Sequence, residues 1–317
     1  MAATSARPRR RRNPIVPAAS ASGDRTGTAG IRRRAAAAIR RRWAGLLAEV
    51  LAIFDGIRVY SGNDATRAPE RTIYALTPDE LAAVSYALQQ ALDRWIASGR
   101  EPAHALWWAP FDDQAAQLGA AQSYANLAAL SATYAGARSL EAVVFSEPFR
   151  NRVAMAQIKS YEHWTGLSAG MRSELSQIIG RAVVDGKNPR AVRAEIAERL
   201  DVSKAKALQY AQTDITDTLR QARQQEADFA AAEFGIAIGL LWTSALKPTT
   251  RPHHASRHGR VYTTDQVREF YGESGNRYNC YCAQTECLLD DDGRPVLSDA
   301  LKRDMAGEVA RWRREAE

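Results

Sequence analysis

The sequence predicts a mainly α-helical fold: a helical N-terminal body and central helices, followed by a small α+β module built around cysteines and histidines. Three observations carry this reading. Large apolar residues recur at spacings of three and four in the first two-thirds of the chain, which is the helical period. Residues 236–298 change texture, to short β-type runs separated by Pro, Gly, Asn and Asp. Into that changed stretch fall all three cysteines and three of the five histidines.

Residues 1–34 are expected to form a disordered basic arm, because Arg9, Arg10, Arg11 and Arg12 lead into a Pro, Ala, Ser, Gly and Thr mixture with little to bury. A helical body is expected over 35–167. Ile39, Trp43, Leu46, Val50, Phe54 and Ile57 mark one buried stripe. Thr77-Pro78-Asp79-Glu80 is a capping box with proline at the first helical position, so a helix is expected over 78–97 with a stop at Ser98-Gly99. Residues 111–138 are Ala-rich, which suits a helix whose neighbours approach closely. The Trp107-Trp108-Ala109-Pro110-Phe111 cluster reads as a core or loop anchor in preference to a partner patch. His104 and His163, beside aromatics, are read as packed side chains without a chemical role.

A second division is expected over 168–298, with helices at 168–235 and a small zinc-type module at 236–298, and a C-terminal helix over 299–317. One helix should end at Asp185-Gly186 and another start at Asn188-Pro189. A turn at Asp201-Val202-Ser203 should precede a long helix that stops near Gly235. Leu240-Leu241-Trp242-Thr243 and Arg260-Val261-Tyr262 read as strands.

Charge is distributed unevenly. The net charge is +7, yet residues 1–42 hold twelve arginines against the single acid Asp24, so the remainder is acidic at −4. Arg9–Arg12 and Arg32, Arg33 and Arg34 are therefore candidate contacts to nucleic-acid phosphates, set against a solvated tail or a contact to an acidic protein face. No uninterrupted apolar run reaches the ~18–20 residues that span a bilayer, and no apolar segment follows the N-terminal charges as in a secretory signal. An odd number of cysteines crowded between 280 and 287 does not suit a disulfide framework, so a reducing compartment is expected.

The chemistry-bearing segment runs Arg251-Pro252-His253-His254, His258-Gly259, Asn279-Cys280-Tyr281-Cys282 and Cys287. Thiolates with imidazole form the usual donor set of structural zinc, which can close a module too small to bury much apolar area. The expected ligands are His254, Cys280, Cys282 and Cys287, with His258 as the alternative fourth, since a site closed without water needs four protein donors. The competing reading is buried thiols beside a hydrogen-bonded loop histidine.

Trp242-Thr243-Ser244, Arg251-Pro252-His253-His254, Gly259-Arg260-Val261-Tyr262 and Asn279-Cys280-Tyr281-Cys282, after Ala211-Gln212-Thr213-Asp214 and Ala222-Arg223, resemble the signature of the phage Mu F-like head morphogenesis family. The resemblance covers roughly 170–290. It places the family's histidine on His254 and its cysteine pair on Cys280 and Cys282, while Tyr281 replaces the usual arginine and Cys287 is extra. What it implies is a minor capsid protein in multiple copies per particle. Such a protein associates with the portal or major capsid protein at the inner head, helps assembly or DNA packaging, and passes through the host cytoplasm during assembly; non-specific contact with packaged DNA is the expectation set by the basic arm.

Two rival functions are weighed. Residues 194–208 have the look of a helix-turn-helix regulator, opposed by Asp214, Asp217, Glu226 and Asp228 on the would-be recognition helix. His253-His254 with Asn276 or Asn279 suggests a metal-dependent nuclease, opposed by the lack of any histidine after residue 258. No phosphate loop, Gly-x-Ser-x-Gly, His-Glu-x-x-His or dinucleotide glycine pattern is present, so the protein is not expected to be an enzyme.

Overall fold

The computed structural model describes residues 13–20, 23–62, 71–97 and 106–316. Helices dominate, as the apolar spacing predicts. The elements run α1 (Ala29–Asp55), β1 (Val59–Gly62), β2 (Arg71–Tyr74), α2 (Pro78–Leu92), α3 (Ala109–Leu130), α4 (Ala132–Ala137), α5 (Leu140–Val144), α6 (Glu147–Asp185) and α7 (Pro189–Phe234). Beyond α7 come β3 (Ile238–Thr243), α8 (Pro252–Ala255), β4 (Val261–Tyr262), α9 (Thr264–Gly272), β5 (Ala283–Leu288) and α10 (Asp299–Ala316). No helix among the described residues is long and apolar enough to cross a membrane.

By their contacts the residues fall into two units, each assembled from separate stretches of chain. One comprises 32–112 and 154–212, the other 1–31, 113–153 and 213–317. The expected division at 35–167 and 168–298 therefore does not follow the packing. In particular, residue 168 lies inside α6, which starts at Glu147 because Ser146 bonds Phe149 N through its hydroxyl at 3.3 Å.

The first unit is organised by aromatic side chains. Trp43, Trp108 and Trp164 are buried, with Trp164 ring centroids 6.3 Å from Trp43, 4.8 Å from Trp107 and 5.1 Å from Trp108. Trp43 Nε1 donates to Ser203 Oγ at 3.0 Å and Trp108 Nε1 to Asp112 Oδ1 at 3.1 Å, so these two indole donors are satisfied, whereas Trp164 Nε1 is buried without an acceptor among the described residues. Trp108 is thus core, with the half-buried Trp107 packed against it. Thr77 and Glu80 form the expected reciprocal capping box on α2, and Asp93–Ala97 continue it as a π-helical turn. The Ser98-Gly99 stop and His104 lie outside the described residues.

No turn interrupts α7 at Asp201-Val202-Ser203. Leu200, Ser203 and Ala207 keep the buried spacing through that point, and Ser203 Oγ donates to Leu200 O at 2.8 Å, the back-bond that lets a turn-forming residue sit inside a helix. The helix-turn-helix reading is corrected by this continuity, since its second helix never separates from its first.

In the second unit, β3 is the centre of an antiparallel sheet in the order β4-β3-β5. Its register pairs Leu240 with Tyr262 and Glu286, and Leu241 with Val261 and Thr285. Along β3 the faces alternate: Leu240 and Trp242 pack with Val267, Phe270, Tyr271, Cys280 and Cys282, while Leu241 packs with Cys287, Leu297 and Met305. On the Ala-rich α3, Gly119 is required where the helix meets α7, since a Cβ there would collide with Leu219 O.

The residues just before α1 are not an arm. Asp24, Arg25, Thr26 and Thr28 are buried. Asp24 Oδ1 accepts from Thr26 N at 2.8 Å, and Gln122 Nε2 donates to Thr26 O at 3.0 Å. The segment is ordered by hydrogen bonds that an apolar count does not register. Arg32, Arg33 and Arg34 accordingly stand on α1, with Arg32 Nη1 donating to Gln212 Oε1 at 2.7 Å. Arg9–Arg12 lie outside the described residues.

Candidate metal centre

His254, Cys280 and Cys282 come together although 26 residues separate the histidine from the first thiol. Local chemistry explains each placement. Pro252 opens α8, and Arg251 ahead of it donates to Gly275 O at 3.2 Å, Asn276 O at 2.7 Å and Tyr278 O at 3.1 Å, tying α8 to the loop that delivers the cysteines. Ser244 Oγ donates to His254 O, fixing the short helix on the end of β3. Asn279 has φ +52°, a left-handed conformation that asparagine tolerates better than most residues, and this bend turns Cys280 and Cys282 inward.

The donor atoms lie within 4.8 Å of one another. His254 Nδ1 lies 3.5 Å from Cys280 Sγ and 3.8 Å from Cys282 Sγ. A tetrahedral zinc ion with bonds of about 2.3 Å to sulfur and 2.0 Å to nitrogen has edges of roughly 3.5–3.8 Å between its ligands. All three residues are buried, and such dry thiol and imidazole donors fit a soft or borderline divalent ion. Trp242, Phe270 and Tyr271 wall the group, with Phe270 4.9 Å from the His254 ring and Trp242 stacked on Tyr271 at 5.3 Å.

The two thiols are not equivalent. Burial alone would raise Cys280, but a hydrogen bond from the Cys282 thiol, the Arg220 guanidinium and His254 together hold it well below the ordinary thiol value. Cys282 is pushed up by its bond to Cys280 and by burial. Arg220 lies over the Tyr271 ring at 4.2 Å and donates to Cys280 O at 3.1 Å. Tyr271 hydroxyl accepts from Gln284 Nε2 at 2.9 Å, which leaves its proton directed at Cys280 Sγ, 3.4 Å away. Arg220, Tyr271 and Gln284 were not legible as site residues: a helical arginine, a tyrosine and a strand glutamine carry no spacing signal.

Neither expected fourth ligand reaches the group. Cys287 lies on the opposite face of β5, packed on Leu241, Leu297 and Met305, where burial and the Glu286 charge push its thiol up to about 12. Its odd offset from the Cys-x-Cys pair explains this, because alternate strand residues face opposite ways. His258 is engaged elsewhere, its Nδ1 accepting from Ser244 N at 3.0 Å and its Nε2 3.1 Å from the Glu308 carboxylate. His253 Nε2 is 2.9 Å from Asn276 Oδ1, and Asn276 Nδ2 donates to Phe270 O at 2.9 Å, so His253 and Asn276 brace the loop.

The Trp-Thr strand, the Arg-Pro-x-His helix and the Asn-Cys-x-Cys turn therefore form one structural unit. Residues 173–285 match the family model described as Phage Mu protein F like protein. This Mu F-like segment contains His254, Cys280 and Cys282 and ends before Cys287, in agreement with the geometry. Nothing among curated proteins or solved structures matches the chain.

Proposed function

We propose that the protein is a minor structural protein of a tailed-phage head, acting in head morphogenesis by contact and not by turnover. The Mu F-like segment carries the reading. The metal centre supports it: three buried donors lie among aromatic walls, which suits a zinc ion that holds a small module together. Zinc would be held by His254, Cys280 and Cys282 and would supply folding energy to β3, α8 and the loop before β5. In this reading the protein is present in multiple copies, sits against portal or major capsid subunits at the inner head wall, and contacts packaged DNA through Arg9–Arg12 and the exposed Arg33 and Arg34 of α1. Assembly takes place in the host cytoplasm.

The test is a subunit census of purified particles at successive assembly stages, with cross-linking. The chain is expected in heads, joined to portal or major capsid subunits. Protein found in host lysate and missing from particles at every stage would overturn the proposal.

A further inference from the structure

Beside the candidate metal centre, and sharing Arg220 and Tyr271 with its wall, lies a hollow of about 310 Å³ lined by Arg152, Asp217, Arg220, Arg268, Tyr271 and Arg277. Four guanidinium groups face one lining carboxylate. α6 supplies Arg152, α7 supplies Asp217 and Arg220, α9 supplies Arg268, and the loop before the cysteines supplies Arg277. Such convergence from four stretches of chain does not arise from a charge run on one helix.

The arginines are unequally neutralised. Arg268 is held by Asp228 and by Asp265 at 2.9 Å. Asp217 is shared, 3.0 Å from Arg220 and 3.9 Å from Arg277. Arg152 has only Gln221 O as an acceptor, at 3.4 Å, and among the described residues no carboxylate lies within ion-pair distance of it. Arg220 is 4% exposed, and its Nε is a buried donor without an acceptor among the described residues; the same holds for Nε of Arg152. Buried guanidinium donors without acceptors are costly, and a bound oxyanion would satisfy them. Burial and repulsion from Arg268 also depress the Arg152 pKa, and an anion would offset both.

We infer that this hollow is an oxyanion site for a phosphate group, whose oxygens match the planar donor forks of Arg152, Arg220 and Arg277. A neutral or cationic ligand would leave the guanidinium charge uncompensated. The phosphate could belong to a free anion or to a nucleic-acid backbone, and the chemistry of recognition is shared. The inference stands apart from any role in a phage head.

The full chain should be titrated with inorganic phosphate at constant ionic strength, using chloride as the balancing salt, by calorimetry and by thermal melting. One saturable site is expected, with Kd raised at least about tenfold in Arg152→Gln, the loss of one charge-assisted contact of roughly 1.4 kcal/mol. Arg277→Gln, a more exposed change, should weaken binding similarly, and Arg303→Gln, on the exposed side of α10, should leave it unchanged. Circular dichroism confirms that each variant is folded. A five-nucleotide single strand that displaces phosphate identifies a backbone phosphate as the ligand, whereas failure to displace identifies a free one. No saturable phosphate binding, or equal affinity in folded Arg152→Gln and Arg277→Gln, would overturn the site.

Discussion

Cys280 and Cys282 share a wall of aromatics, yet only Cys280 is held toward its thiolate, because Arg220, His254 and the Cys282 thiol outweigh its burial. A metal cation would extend that stabilisation to both sulfurs, since coordinating thiols are deprotonated. Purified protein is therefore expected to carry about one zinc per chain, by elemental analysis, with metal loss on Cys280→Ser or Cys282→Ser and retention on Cys287→Ser. Metal-free wild type of unchanged melting temperature would defeat this. His258 has its own signature. Burial pushes its pKa from 6.5 down to about 4, with the neighbouring charges of Glu308 and Arg25 pulling in opposite directions. Because the folded state resists a proton that the unfolded chain accepts, this contribution to stability is complete above about 6.5 and is lost as pH falls toward 4. His258→Gln should flatten that part of the melting-temperature profile, and an unaltered acid loss in the variant would contradict it. At this scale the sequence showed His254, Cys280 and Cys282 by residue type and spacing. It could not show that a strand's alternation turns Cys287 away, nor that Ser244 and Glu308 occupy His258.

Three elements meet at Glu286. Its carboxylate on β5 accepts from Arg223 of α7 at 2.7 and 3.2 Å, and from Ser123 and Asn126 of α3 at 2.9 and 3.0 Å. Burial opposes the charge, but Arg223 and these donors hold the carboxyl below its ordinary value, so the ion pair persists at neutral pH. Glu286→Ala would strand a buried guanidinium beside two emptied donors, and should cost about 3–5 kcal/mol in denaturant unfolding; a loss below ~1 kcal/mol would show that the network is solvated. Nothing in Ala-Gln-Thr-Glu-Cys announces a fully buried strand, because its polar side chains are satisfied by partners distant in sequence. The elements that were legible had local causes: the Thr77 capping box, Asn188-Pro189 before α7, Gly186 at φ +65° after α6, and Gly235 at φ +61° after α7. The helix α9 had such a cause too, the capping box of Thr263 and Gln266, which went unread among the metal-ligand candidates. The supposed turn at Asp201 failed for the opposite reason. There the local signal of Asp and Ser was real, but burial of Leu200, Ser203 and Ala207 decided the outcome.

For the whole molecule, linear order is a poor guide to packing, and this changes how the basic residues should be tested. Apolar periodicity along a sequence reports which residues are buried, not which distant stretch covers them, so units built from 32–112 with 154–212, and from 1–31 with 113–153 and 213–317, could not be read from it. Deleting residues 1–34 would remove the buried Asp24, Thr26 and Thr28, and would leave Glu308 without the Arg25 guanidinium that lies 2.6 Å from it. Any loss of DNA binding would then be confounded with misfolding. Removal of residues 1–12 takes away Arg9–Arg12 and none of these contacts. If those arginines neutralise backbone phosphates, the full chain should bind duplex DNA with an affinity that falls by about 0.9 log units per decade of salt for each phosphate contacted, and the shortened chain should show a shallower slope. Replacing Arg33 and Arg34 by Gln on the exposed side of α1 should flatten it further without unfolding the helix, since neither side chain is buried. An unchanged slope after both alterations would assign the basic residues to a protein face.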